Sequence, residues 1–265
     1  MANIYQEIAR IQAEGESAAL ATVISCVSPA PTREAYKMLV KASGDTIGTL
    51  GGGEWEARVC QKALEVIKSG NPERLRLTLD GQGIDMVCGG EVEVFIEPII
   101  PSPALYIFGG GHISIFLVEI ARMLDFRITV IDDRPEFANP NRFPKINDVI
   151  AEDFKTAFPR LRIDETSYLV IATRKHQYDE LVLEMAVKTP ARYIGMLGSK
   201  AKIETVFAHL LDRGIPEQLL NNVHTPIGLA IRSKTPPEIA ISILAEIIKV
   251  RHSPVLKPKD QAYAP

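Results

Sequence analysis

Cysteine is scarce in this chain, and what there is forms no pattern. The 265 residues hold three, Cys26, Cys60 and Cys88, odd in number and far apart. No CxxC or Cys/His spacing suggests a zinc site or a disulfide framework, so a reducing, cytoplasmic setting is expected. An excess of charge is missing too: 30 Lys and Arg stand against 33 Asp and Glu, a formal net charge of −3. With no global field, neither nucleic acid nor an anionic membrane is an expected partner. The opening MANIYQEIARIQAEGE carries Glu7, Arg10, Glu14 and Glu16 and lacks the apolar stretch of a secretory signal. One segment, Pro98 to Val118, runs without Asp, Glu, Lys or Arg, but Pro98, Pro101, Pro103 and the triplet Gly109-Gly110-Gly111 exclude a continuous membrane helix.

What is present is the balance of a globular protein with a real core, 46% apolar and 24% charged. The length suits one large domain or two ordinary ones. Pro98, Pro101 and Pro103 each remove a backbone donor and resist a continued helix or central strand. They predict a domain over 1–98, a linker over 99–104, a second domain over 105–252 and a flexible tail over 253–265. In the first part, Asn3 is placed to cap an amphipathic helix carrying Ile4, Ile8 and Ile11, stopped by Gly15. Strands are expected at 18–26, 36–41, 74–80 and 91–98. A helix is expected at 54–69, with Trp55, Val59, Ala63 and Ile67 on one stripe. The second part changes rhythm. Short apolar runs at 105–108, 127–132, 148–151, 167–173 and 192–197 alternate with helical spans. That pattern predicts an α/β fold, a doubly wound parallel sheet with crossover helices, the last over 236–251. This last helix and the apolar strands of the first part suggest a homodimer.

The run at 105–108 leads straight into Gly109-Gly110-Gly111-His112-Ile113-Ser114 and a helix, the first half of a dinucleotide-binding fingerprint with Ser114 in the third glycine's place. Such glycines let an anion approach the free N–H groups of a helix N-terminus. Asp132, at the end of the next strand, is placed for a ribose hydroxyl pair. Ligands of open parallel sheets sit beyond the carboxyl ends of the strands. There the sequence sets Gly109, Gly111 and His112; Asp132, Asp133 and Arg134; Thr173, Arg174, Lys175 and His176; and Gly198, Ser199 and Lys200. The four cations give the edge positive character and predict an anionic ligand. His112 and His176 are candidates for acid–base or metal chemistry as well as for structural hydrogen bonding. In the first part, Gly51-Gly52-Gly53-Glu54 is either a second anion nest or a tight turn. Cys88, beside Gly89 and Gly90, is either an approachable thiol able to meet a soft metal or a plain buried one.

Taken in order, GGGxxE, CGGEVEVFIEP, FGGGH, TVIDDRPEFANPNRFP, TRKHQYD, YIGMLGSKAK and PIGLAI…TPPEIAISILAEII resemble the XdhC/CoxI family, the xanthine dehydrogenase accessory factors. The likeness spans residues 20 to 251. It implies a smaller α+β XdhC-type domain followed by a Rossmann-like one, and a protein that binds molybdenum cofactor (molybdopterin) as cargo. It further implies that the cofactor is held during sulfuration by a cysteine desulfurase and delivered to an apo-xanthine dehydrogenase or related molybdenum hydroxylase. The family pattern carries over onto Gly51, Gly52, Gly53, Glu54, Glu56, Cys88, Gly89 and Gly90. In the second domain it reaches Gly109, Gly111, His112, Asp132, Asp133, Arg134, Thr173, Arg174, His176, Asp179, Gly195, Gly198, Ser199 and Lys200. Cys88 is then a candidate contact to the molybdenum. One stretch departs: where the family shows a GSxPRxxGAxMLV-like run, this chain reads SPAPTREAYKMLV, with Thr32 in the arginine's place and Ala35-Tyr36 in that of Gly-Ala. Two other readings remain: an NAD(P)-dependent oxidoreductase using His176 or Lys200, though no separate catalytic constellation can be assembled, and a Rossmann module kept for interaction.

Overall fold

The structure, a computed structural model, describes residues 3–27, 30, 32–78 and 90–253. Cys88, Gly89 and residues 254–265 of the expected tail lie outside them. The chain forms two compact units, Met1–Ser102 and Pro103–Pro265.

The first unit opens with α1 (Ile4–Glu14), where the Asn3 side chain accepts the Tyr5 N–H and Gly15 closes the helix at φ 71°. There follow β1 (Ala18–Val27), β2 (Lys37–Lys41), β3 (Thr46–Gly48), α2 (Glu54–Ser69), β4 (Glu73–Thr78) and β5 (Glu91–Ile99). The strands pair antiparallel in the order β3-β2-β1-β5-β4. Alternation along β1 and β5 sends Ala19, Ala21, Val23, Val92, Val94 and Ile96 to one face, where Trp55, Val59, Ala63 and Val66 of α2 cover them. The other face carries Ala18, Leu20 and Leu39 onto Ile11 of α1, with Ile4 and Ile8 at the margin. Each fully buried Val, Leu or Ile stabilises the unit by about 1.5–3 kcal/mol relative to exposure. The short β3 was not expected, because three residues hold too little alternation to register.

The second unit is built from β6 (Ala104–Phe108), α3 (His112–Met123), β7 (Arg127–Asp132), β8 (Asp148–Ala151), α4 (Phe154–Ala157) and a 3₁₀ turn at Phe158–Arg160. The chain continues through β9 (Tyr168–Ile171), α5 (His176–Ala186), β10 (Tyr193–Met196), α6 (Lys200–Asp212), α7 (Glu217–Leu220) and α8 (Pro236–His252). All five strands are parallel in the order β10-β9-β6-β7-β8, so the chain winds outward from β6 first to one side and then to the other. This is the doubly wound Rossmann order. Helices α3 and α8 cover Leu105, Ile107, Ile128 and Val130 on one face. Helices α4, α5 and α6 cover Tyr106, Phe108, Leu169 and Ile171 on the other. Burial on both faces is why these strands are continuous apolar runs rather than alternating ones. Thr235 and Glu238 form a capping box at the start of α8, with Pro236 fixing the entry. The one-turn helices α4 and α7 are too short to leave a periodic signal.

Candidate functional site

Because β10, β9, β6 and β7 are adjacent and parallel, the loops that leave their carboxyl ends meet on one edge of the sheet. The glycine turn lies at its centre. Gly109 sits at φ 112°, and a Cβ there would lie 2.3 Å from the Ala172 carbonyl oxygen. A Cβ on Gly110 would lie 2.0 Å from the Phe137 carbonyl oxygen. Both glycines are therefore required by the chain's own backbone. Gly111 is different: it is the N-cap of α3, and nothing lies within 4 Å of where its Cβ would be. That open surface, ahead of free helical N–H groups, is where an anion can approach. Ser114 is buried and donates its hydroxyl hydrogen bond to the Gly109 carbonyl, closing the turn that a third glycine would otherwise pack.

Asp132 is 1% exposed, and its carboxylate is used within the chain. It accepts the Gly110 N–H at 2.9 Å, the Arg134 N–H at 3.1 Å, and Arg134 Nε and Nη2 at 2.9 and 3.0 Å. Four donors fill the four acceptor directions of a carboxylate. Burial pushes its pKa up, but the Arg134 guanidinium and the backbone donors outweigh this and hold it below the ordinary carboxylate range. In the structure the group fastens the glycine turn to the loop after β7. Arg134 also lies 3.6 Å above the centre of the Phe137 ring, and Arg142 Nε reaches the Gly110 carbonyl at 2.9 Å.

Asp133 holds Arg174 from the loop after β9, with Nη2 to Oδ2 at 2.6 Å. The four cations of this edge therefore differ in their surroundings. Arg134 and Arg174 are neutralised by the two aspartates, while Lys175 and Lys200 remain exposed. Next along the edge, the Thr173 N–H and hydroxyl both donate to Asp179 Oδ1, at 3.0 and 2.8 Å. The other oxygen of Asp179 meets the ammonium of Lys202, which also donates to the Leu197 carbonyl at 3.0 Å. Ser199 caps α6 on the Lys202 N–H. The loops after β9 and β10 are tied together through this pair. Sequence reasoning chose the exposed Lys200 and missed Lys202 and its role. The signal was available, since Lys202 flanks the inward stripe Ile203, Val206 and Leu210, an unusual place for a lysine.

His112 and His176 are exposed in the first turns of α3 and α5. Among the described residues no group of three His, Cys, Asp or Glu side chains could hold a metal ion.

In the first unit Gly51, Gly52 and Gly53 all take positive φ, at 126°, 78° and 86°, so a run of glycine is obligatory there. The turn does form an anion nest, but its occupant is the chain's own Glu56. One oxygen accepts the Thr49 hydroxyl at 2.6 Å, the Leu50 N–H at 2.8 Å and the Gly52 N–H at 2.9 Å. Desolvation pushes the Glu56 pKa up, and these donors pull it below its ordinary value on balance. Of the two readings, nest and tight turn, the structure shows a turn whose N–H groups hold Glu56, with Glu54 exposed and facing Arg58. Ala35, in the place of the family's glycine, keeps a left-handed φ of 67°. Thr32, in the place of its arginine, is buried.

A Rossmann strand order with a glycine turn on the central strand, in a chain whose other unit is a five-stranded antiparallel sheet, defines a two-domain α/β protein of a recognisable class. The chain belongs to the XdhC/CoxI family: the family models described as "XdhC Rossmann domain" and "XdhC and CoxI family" match residues 105–247 and 11–93. It is 32% identical over 255 residues to a protein of Escherichia coli (strain K12) named "Uncharacterized protein YqeB", covering 95% of this chain and 47% of that one. It is 32% identical over 163 residues to a protein of Bacillus subtilis (strain 168) named as a probable xanthine dehydrogenase subunit, covering 60% of this chain and 46% of that one. The chain thus spans about half the length of the curated relatives it matches. A crystal structure described as that of a xanthine dehydrogenase from Bacillus halodurans shares the fold, with a TM-score of 0.52 at 21% identity over 97% of this chain and 99% of that one. No helix among the described residues is long and apolar enough to cross a membrane.

Proposed function

We propose that this protein is an accessory factor of molybdenum hydroxylase maturation. It binds molybdenum cofactor as cargo, supports its sulfuration by a cysteine desulfurase and passes it to an apo-enzyme of the xanthine dehydrogenase type, acting as a cytoplasmic homodimer. The observation that carries this reading is the match of both XdhC family models, in order and over nearly the whole chain, to units that fold as the sequence implies. The chemistry fits. Molybdopterin carries a phosphate, and the open surface over Gly111 with exposed Lys175 and Lys200 alongside suits one. The Cys88 thiol is proposed in its own right as a soft contact to the molybdenum, as the family resemblance implies. His112, Thr173, Arg174, His176, Gly198 and Ser199 line the same edge of the sheet.

The alternative of an NAD(P)-dependent oxidoreductase has the Rossmann topology in its favour. Against it stands Asp132, whose acceptor positions are taken by Gly110 and Arg134.

Anaerobic titration of the purified protein with molybdenum cofactor, with NAD and NADP in parallel, tests the reading. Tight cofactor binding without competition from either nucleotide, followed by activation of an apo-hydroxylase, is the expected result. Nucleotide binding with no affinity for the cofactor sinks it. Cys88→Ala with unchanged retention and delivery removes the thiolate contact alone.

A further inference from the structure

The ion pair between Asp133 and Arg174 has a position that its chemistry alone does not explain. Asp133 follows β7 and Arg174 follows β9, and in the sheet β6 lies between those two strands. The 2.6 Å bridge therefore spans the carboxyl end of β6, the point where the chain's winding reverses. Among the described residues it is the one ion pair that joins these two loops. The glycine turn issues from that same strand end, and Gly111 beside it faces open space.

We infer that the Asp133–Arg174 pair is a latch over the ligand crevice, and that a phosphate-bearing ligand enters by drawing Arg174 away from Asp133. The inference rests on reading this edge as the ligand site and adds to it a residue that changes partner. Three features make the exchange workable. Arg174 keeps a third of its side-chain surface exposed and is rooted at Tyr178, whose hydroxyl it meets at 3.4 Å and whose ring it faces at 5.4 Å. Its hydrogen bonds to Asp133 and Tyr178 both use Nη2, so the carboxylate engages one prong of the guanidinium fork. A phosphate can take two prongs, which makes it the stronger partner. Asp133, once released, keeps Arg134 Nε 3.9 Å away and is not left as an isolated charge.

The test uses the full chain and inorganic pyrophosphate, which carries the chemistry shared by nucleotides and the pterin cofactor, followed by calorimetry. Asp133→Asn removes the competing charge with little change of shape and should tighten pyrophosphate binding by about twofold to fivefold, the range of a partly exposed ion pair. Arg174→Ala should weaken it by about tenfold or more, as loss of a charged hydrogen-bond partner does. Repeating the Asp133→Asn comparison with NAD and with molybdenum cofactor shows which ligand the latch serves, since its affinity should rise in step with that of pyrophosphate. An Asp133→Asn affinity equal to or below that of the unaltered protein overturns the latch, and so does the absence of pyrophosphate binding by all three proteins. Either result leaves the cofactor-delivery experiment standing, because delivery to an apo-hydroxylase does not depend on how the crevice opens.

Discussion

Asp179 has none of its surface exposed, and the charge that answers it is Lys202, more than twenty residues on and in another helix. Their pairing makes one rigid piece of the two loops that follow β9 and β10, since Asp179 also holds Thr173 and Lys202 also holds the Leu197 carbonyl. Removing one member of a buried pair leaves an uncompensated charge, which costs about 3–5 kcal/mol. Lys202→Met should lower stability by that much in a urea melt, and the double variant with Asp179→Asn should recover a large part of it. Losses that simply add would show the two residues to be uncoupled.

The glycine turn gives a contrast between neighbours. Gly110→Ala forces a methyl group to within 2.0 Å of the Phe137 carbonyl, so the turn and the loop over it must separate. A stability loss of about 1–3 kcal/mol or more, in the overpacking range, is expected. Gly111→Ala meets nothing within 4 Å and has an ordinary φ of −70°, so its melting temperature should stay near that of the unaltered protein. What it should lose is binding of molybdenum cofactor, because the methyl group occupies the surface an anion would approach. Unimpaired binding by Gly111→Ala would move the ligand away from this turn.

Acid should find the first unit through Glu56. Its pKa is lowered on folding, so the stability it contributes is complete above the ordinary glutamate range near about 4.3. It is lost as the pH falls through the lowered folded value. Glu56→Gln should be less stable at neutral pH and should flatten the fall in stability as the pH drops below the ordinary glutamate range. Parallel pH curves for the two proteins would mean that the nest does not prefer the charged form.

Ala35 offers the opposite kind of change. Held at a left-handed φ of 67°, it bears a cost of roughly 1–2 kcal/mol that glycine does not. Glycine loses part of that advantage to its greater freedom in the unfolded chain, so Ala35→Gly should stabilise the protein by about 0.5–1 kcal/mol. A loss of stability in thermal melts would show that the methyl group packs usefully.

Periodicity and punctuation made the larger elements legible before any coordinates. Asn3 and Gly15 bracket α1, Gly70 ends α2, and Pro236 opens α8 where each was expected. The parallel strands were readable because burial on both faces leaves uninterrupted apolar runs. What escaped was short or relational. Strand β3 and helices α4 and α7 hold too few residues for any period to show. An aspartate at a strand end looks the same in sequence whether it faces a ribose or an arginine two residues on, so the use made of Asp132 was hidden. Glu56 was visible in GGGxxE as a family residue, yet its filling of the nest depends on three consecutive left-handed glycines turning Leu50 and Gly52 N–H groups toward it.

The order β3-β2-β1-β5-β4 carries a consequence for how the chain comes into being. Strand β5, the last of the first sheet to be made, lies between β1 and β4, and its register runs from Ala18 opposite Ile99 to Val27 opposite Glu91. A growing chain that has emerged only as far as β4 therefore holds two separate pieces of this sheet, with β1 presenting an unpaired edge and β4 without a neighbour. Closure waits on a partner more than sixty residues downstream, the kind of distant pairing that slows folding and leaves strand edges open to other chains. Fragments ending before Ile99 should accordingly collect as aggregates, whereas a chain carried through Ile99 can close its first sheet during synthesis.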